Sequence, residues 1–197
     1  MIQLSVEVRN AILDQIETTI GVDPVLEIRT GPPPASTASV ATGTILASMT
    51  LPTNWMANAA SGQKLLSGTW QDGSADANGT AGHFRIRQGA LCHMHGSVGV
   101  DLPLTTTVTA AANTNVLTFT STTGVNLGDL VTGTGIPAGT FVSSFTSTTV
   151  NLSDAATLAV TSGTAITFSG DMSINTLTVV AGQQVSVTQF TLVAPNA

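Results

Sequence analysis

The stretch LCHMHG, Leu91 to Gly96, holds the only cysteine of the chain and two of its three histidines. Thiolate and imidazole are favoured zinc ligands, and zinc asks for three or four ligands in a tetrahedron. A cysteine with a histidine is also the pairing of a thiol nucleophile with its base. Strand geometry opposes both uses. Successive side chains of a strand point to opposite faces, so His93 and His95 share one face while Cys92 and Met94 share the other. Cys92 then neither joins the histidines on one ion nor meets His93 as a base. Two histidines at i, i+2 make half a metal site, which His83 or Asp101 would have to complete. A metal-dependent enzyme using His93, His95 and an acid is therefore the weakest of the functional readings weighed here.

Hairpin register decides what flanks these histidines. In HFRIRQGALCHMHG, His83 to Gly96, a two-residue turn sets Phe84 and Ile86 on the histidine face. A three-residue turn over Gln88, Gly89 and Ala90 instead sets them with Cys92 and Met94, and places Arg85 and Arg87 beside His93 and His95. The second register separates apolar from polar, and Gly89 supplies a positive φ. It is the register expected. Arginines beside the histidines repel a dication, and Cys92 becomes a small buried residue.

The remaining motifs are weaker. DGSADANG, Asp72 to Gly79, offers oxygen donors in Asp72, Asp76 and Asn78, but lacks the D-x-D-x-D spacing and closing glutamate of a calcium loop. It reads as a solvated turn. GTGIPAG, Gly133 to Gly139, has no Lys-Ser/Thr and no following helix, so it reads as a β-turn rather than a phosphate cradle. There is no G-x-S-x-G elbow. Trp55 and Trp70 could line a sugar groove, yet in a chain with 4% aromatics core anchoring is the better reading. No catalytic, cofactor-binding or metal-binding residue is assigned, and the chain reads as a non-enzyme.

The elements that carry these residues are mostly strands. SVEVRNAILDQIETTIG is the one helix: Val8, Ile12, Ile16 and Ile20 are spaced by four with Leu13 beside them, Ser5 is the N-cap, Gly21 the C′ residue, and Pro24 blocks continuation. The narrow stripe predicts packing on a sheet or on a neighbouring subunit. PVLEIRT alternates as a half-buried strand, GPPPASTAS is a stiff proline-rich loop, and GTILASMTLP and KLLSGTWQD are further strands. Trp55 and Met56 anchor the loop between the last two. TLTVV, AGQQ and VSVTQFTLV read as strand, turn, strand. The two halves of the last strand disagree about their apolar face, which a bulge near Thr188 or Gln189 reconciles.

From Thr105 the texture turns to Thr, Ser, Gly, Ala and Val, with an internal echo: FTSTTGVNLGD from Phe119 and FTSTTVNLSD from Phe145. Residues 105–168 read as a small all-β insertion of two related units. Residues 1–104 and 169–197 form the host domain. The fold class expected is mainly β: an antiparallel β-sandwich or jelly-roll-like domain with one N-terminal α-helix and the inserted β-unit.

Composition narrows the function classes. Charged residues are 8% of 197, against about 25% in ordinary domains, while 42% are hydrophobic, tyrosine is absent and mean hydropathy is +0.34. This predicts a folded chain whose surface is solvated by hydroxyls and backbone, as in β-rich structural proteins and subunits of assemblies. Net charge is −6, and beyond Arg87 the only charged side chains are Asp101, Asp129, Asp154 and Asp171. Such a surface does not neutralise phosphates or seek anionic lipid, so no nucleic-acid or membrane partner is expected. One cysteine excludes an intrachain disulfide. MIQLSVEVRN lacks the basic-then-apolar pattern of a Sec signal, so synthesis in a cytoplasm is expected.

RNAILDQIETTIG, VLEIRTGPPPAS, GTILASMTLPTNWM, SGTWQDGSADANGTAGHFRI, CHMHGSV and AGQQVSVTQFTLVAPNA together resemble a group of small structural proteins encoded in tailed-phage and prophage gene clusters. The Thr/Gly-rich insertion is similar to β-modules of phage tail and fibre proteins. The resemblance brings no catalytic motif or cofactor. It implies a virion component, first a capsid decoration or cement protein that bridges capsid subunits as a homo-oligomer, with the major capsid protein or other virion proteins as partners. The alternative is a tail, baseplate or fibre-associated protein whose insertion binds a host glycan.

Overall fold

In the computed structural model, which describes residues 3–126 and 128–194, the single helix α1 spans Val6–Ile20. Ser5 caps it from an extended conformation, its hydroxyl accepting from the Val8 N–H at 3.4 Å. Gly21, at φ 91°, ends it. The strands in chain order are β1 Val25–Thr30, β2 Ile45–Thr50, β3 Gln63–Leu65, β4 Gln71–Asp72, β5 Gly79–Gln88, β6 Leu91–Gly99, β7 Leu102–Thr105, β8 Val116–Thr118, β9 Leu130–Gly133, β10 Val142–Phe145, β11 Thr149–Leu152, β12 Ala165–Ser169, β13 Met172–Ile174, β14 Thr178–Val179 and β15 Val185–Val193. The chain is thus mainly β with one N-terminal helix. It divides into two compact units, 1–100 with 172–197, and 101–171.

The first unit is one curled sheet in the order β2-β1-β5-β6-β13-β15-β3, with β14 added on β5 and β4 on β15. Its pairs are antiparallel except β6 with β13, which run parallel. Its core stacks Trp55 on Trp70 (5.8 Å between centroids), Trp70 on Phe190 (5.3 Å), and Phe84 edge-on to Phe190 (5.6 Å). Both tryptophans are fully buried, so they anchor the core and line no groove.

Bulges set which side chains enter this core. Thr188 is the extra residue of β15, because Gln189 faces Ser173 while Val187 faces Ile174. Val185 and Val187 are therefore buried before it and Phe190 after it, as the alternation of the sequence required. Leu46 is the extra residue of β2, between Ala47 opposite Ile28 and Ile45 opposite Arg29, and Leu46 and Ala47 are both buried. KLLSGTWQD, expected as one strand, is broken. Gly68, at φ 72°, turns the chain between β3 and β4, which pair with opposite ends of β15. Trp70 sits after that turn, its indole donating to the Ser67 carbonyl at 3.1 Å.

The second unit is two three-stranded sheets, β10-β11-β8 and β7-β12-β9. Its core gathers Leu117, Val131, Val142, Val150, Leu152 and Ile166 around Phe119, which meets Phe168 edge-on at 5.5 Å. The two echo copies touch. The Phe119 and Thr122 N–H groups donate to the carbonyls of Thr148 and Ser147, and the Thr122 hydroxyl donates to the Thr146 carbonyl. Corresponding Val125 and Val150 are both buried, whereas Phe119 is buried and its counterpart Phe145 is exposed.

Candidate functional site

The helix packs on its own unit largely through its polar side. Asn10, Asp14 and Glu17 fall on one face at i, i+4, i+7, and each carbonyl or carboxylate oxygen caps a backbone N–H of the segment before and into β3. The Gly62 N–H donates to Asn10 (2.8 Å), that of Ala59 to Asp14 (3.0 Å), and that of Met56 to Glu17 (3.1 Å). Lys64 closes the contact, only 1% exposed, with Nζ 2.7 Å from Asp14 and 3.0 Å from Glu17. The lysine and the hydrogen bond from Ala59 hold the Asp14 carboxyl below its usual range. Burial pushes the Lys64 ammonium down, but the two carboxylates outweigh it and its pKa is raised.

The apolar stripe is correspondingly divided. Leu13 and Ile20 are buried and Ile16 packs partly against the core, but Val8 and Ile12 are 46% and 47% exposed. Of the stripe expected to pack on a sheet or on a neighbouring subunit, only the Leu13, Ile16 and Ile20 part packs within the chain. The polar face forms more specific bonds to the loop, and burying it leaves Val8 and Ile12 outside. Ile12 also lines a mostly apolar groove of about 460 Å³ with Ile16, Ile20 and Met94, bordered by Gln15, Thr19 and His93.

The histidines are separated. The β5–β6 turn is the two residues Gly89 and Ala90, not three, since Gln88 pairs with Leu91. Gly89, at φ 58°, takes the first central position that a tight hairpin reserves for glycine. A bulge then inserts His93: Arg87 faces Cys92, while Ile86 faces Met94 and Arg85 faces His95. Two-residue turn plus bulge aligns Phe84 and Ile86 with Met94, as a three-residue turn would. It moves Cys92 to the arginine side and His93 to the helix side. Cys92, intermediate in exposure, donates to its own strand at the Met94 carbonyl (3.3 Å). His83 is fully buried, Nδ1 2.8 Å from the Gly31 carbonyl. His93 and His95 therefore do not share a face, and among the described residues no three His, Cys, Asp or Glu side chains gather to hold a metal ion.

The loop from Asp72 to Gly79, expected as a solvated turn rather than a calcium site, ties Asp72 and Asn78 to the chain's own backbone. Asp72 accepts from the N–H groups of Ser48 and Ser74, and Asn78 from that of Ala181. Gly133 to Gly139 leaves β9 through two tight turns. No family model, curated protein or solved structure matches the chain.

What sequence reasoning missed is a charged group on the opposite face of β1 and β5. Glu27, opposite Arg85 on the paired strands, is 3% exposed and accepts from Arg29 Nε at 2.8 Å and Arg87 Nη2 at 2.5 Å. The alternation of Val25, Glu27 and Arg29 suggested a solvated face. The loop after β1, whose residues Thr37 to Ala41 wall this group, covers it instead.

Proposed function

We propose that the chain is a non-enzymatic structural component of a tailed-phage virion, and within it a head decoration or cement protein. The observation that carries an assembly role is the inverted helix. Its polar face is spent on the protein's own loop through Asn10, Asp14, Glu17 and Lys64, which leaves Val8 and Ile12 facing outward next to an apolar groove. Large apolar side chains grouped at the surface beside a groove mark contact sites. The resemblance to phage structural proteins supports the particle, and the low charge and hydroxyl-rich surface suit a subunit surrounded by others.

In this reading the helix face meets an apolar surface of a neighbouring virion subunit. Many copies bridge adjacent capsid subunits, and the added buried area resists internal pressure. One observation favours the tail or fibre alternative: Phe141 and Phe145 of the second unit are 47% and 43% exposed, and aromatic faces can stack on sugar rings.

The test is the copy number of the chain in purified particles, measured for the natural sequence and for Ile12→Glu. Hundreds of copies, lost in the variant while its tryptophan fluorescence stays native, are expected. A dozen or fewer copies would move the protein to the tail. Absence from particles, or undiminished incorporation of the variant, would overturn the reading.

A further inference from the structure

The chain has five lysine and arginine side chains, and three of them, Arg29, Arg85 and Arg87, converge on one cavity of about 480 Å³. The cavity lies between the loop Thr37–Ala41, strands β1 and β5, and the start of β6. Among the described residues its charged lining is these three guanidiniums and Glu27, so two positive charges are left over. That excess stands out in a chain of net charge −6.

The hydrogen bonds do not account for it. Glu27 is taken by Arg29 and Arg87. Arg85 is 4% exposed, and no carboxylate among the described residues pairs with it. Its terminal nitrogens reach the Thr37 carbonyl (3.1 Å) and the Ser39 carbonyl (3.3 Å), which satisfy donors but bring no negative charge. The Nε atoms of Arg85 and Arg87 are buried without a hydrogen-bond partner. A purely structural role, tethering the loop, explains the terminal nitrogens of Arg85. It does not explain the surplus charge. A guanidinium keeps its charge when buried, and its planar fork matches the paired oxygens of carboxylate and phosphate.

We propose that this cavity is a binding site for a compact dianion of an oxygen acid, hydrogen phosphate or a short dicarboxylate. Two negative charges neutralise the lining, where three guanidiniums face a single carboxylate. The site is independent of the virion reading, because it rests on a different face of the sheet from the groove beside α1.

Calorimetric titration of the full chain at neutral pH and fixed ionic strength, with sodium phosphate and separately with sodium succinate, tests it. One-to-one binding of either is expected, and the salt that binds identifies the source. Arg87→Gln should weaken binding about tenfold or more, by loss of one of the two surplus positive charges. Ala38→Glu, an exposed wall position, should suppress binding by placing a carboxylate at the cavity without removing any contact of the fold. Tryptophan fluorescence checks that both variants are folded. Failure of both salts to bind at millimolar concentration would overturn the proposal, as would binding that Ala38→Glu leaves unchanged.

Discussion

Replacing Lys64 by Met tests whether the helix is held by charge. The ammonium is 1% exposed and lies 2.7 Å from Asp14 and 3.0 Å from Glu17. Removing one partner of a buried ion pair costs about 3–5 kcal/mol, because the other charge is stranded. Here the stranding is partial. The Asp14 side chain is 47% exposed and can rehydrate, and Glu17 is 19% exposed. Both keep a backbone N–H donor, and methionine retains most of the packing of the lysine stem. The expected loss is therefore about 2–3 kcal/mol, or about 8–12 °C in Tm at roughly 4 °C per kcal/mol for a unit of this size. Tryptophan fluorescence in urea reads the right unit, since Trp55 and Trp70 both lie in the first, and the Trp55 indole donates to Gly21 at the end of the helix. The loss should also shrink in acid. A carboxyl held low in the folded state contributes stability above its unfolded pKa, near 4, and loses that contribution as pH falls through its lower folded value. A Lys64→Met protein within about 0.5 kcal/mol of the natural one would refute the reasoning. The helix would then be held by Leu13, Ile16 and Ile20 and by the bonds of Asn10, Asp14 and Glu17 to the backbone, with the buried ammonium merely tolerated.

Two further outcomes follow from the sheet. Gly82 is the extra residue of β5 opposite Arg29 and Thr30, and a Cβ there would stand 2.4 Å from the Gly31 carbonyl oxygen. Gly82→Ala should cost about 2 kcal/mol or more in urea unfolding, since backbone on backbone has little room to yield. Burial, with the Arg29 and Arg85 guanidiniums nearby, holds the His83 pKa down against the raising effect of its bond to Gly31. Folding stability should then fall as pH drops through the unfolded value of about 6.5 toward the lower folded one, where only the unfolded chain takes up the proton. Urea midpoints for the natural protein and His83→Gln across that range should show the slope in the first and its loss in the second.

Much of the fold was legible because local signals agreed. Ser5 and Gly21 bound the helix, the strand-turn-strand patterns became β5–β6 and the β14–β15 region, and the conflict of faces in VSVTQFTLV located the bulge at Thr188. Legibility failed where one extra residue changes parity without a conflict to betray it. His93 is such a residue. The sequence around it is consistent with a three-residue turn, and only the pairing shows that a shorter turn and a bulge reach nearly the same alignment while sending Cys92 and His93 to other faces. The helix failed differently. An apolar stripe can be read by period, but a polar stripe that caps a distant loop looks like a solvated face. Asn10, Asp14 and Glu17 gain meaning only once residues 56–64 are placed beside them.

The charged face of β1 and β5 shows the same limit, and it ties the proline-rich loop to the sheet. Pro32, Pro33 and Pro34 stiffen its entry. Arg85 holds the Thr37 and Ser39 carbonyls in its middle, and Arg29 holds those of Thr42 and Gly43 at its exit, at 3.0 and 2.9 Å. A segment read from sequence as a stiff loop is thus clamped at its middle and its exit by the sheet beneath it. The arginines that clamp it also line the cavity it covers, so loop position and cavity charge are two consequences of one arrangement. An anion that binds only the covered cavity would stabilise the clamped loop by mass action, while a substitution that freed Thr37 and Ser39 would open the cavity to water. Rigidity of the loop and affinity of the site should therefore rise and fall together.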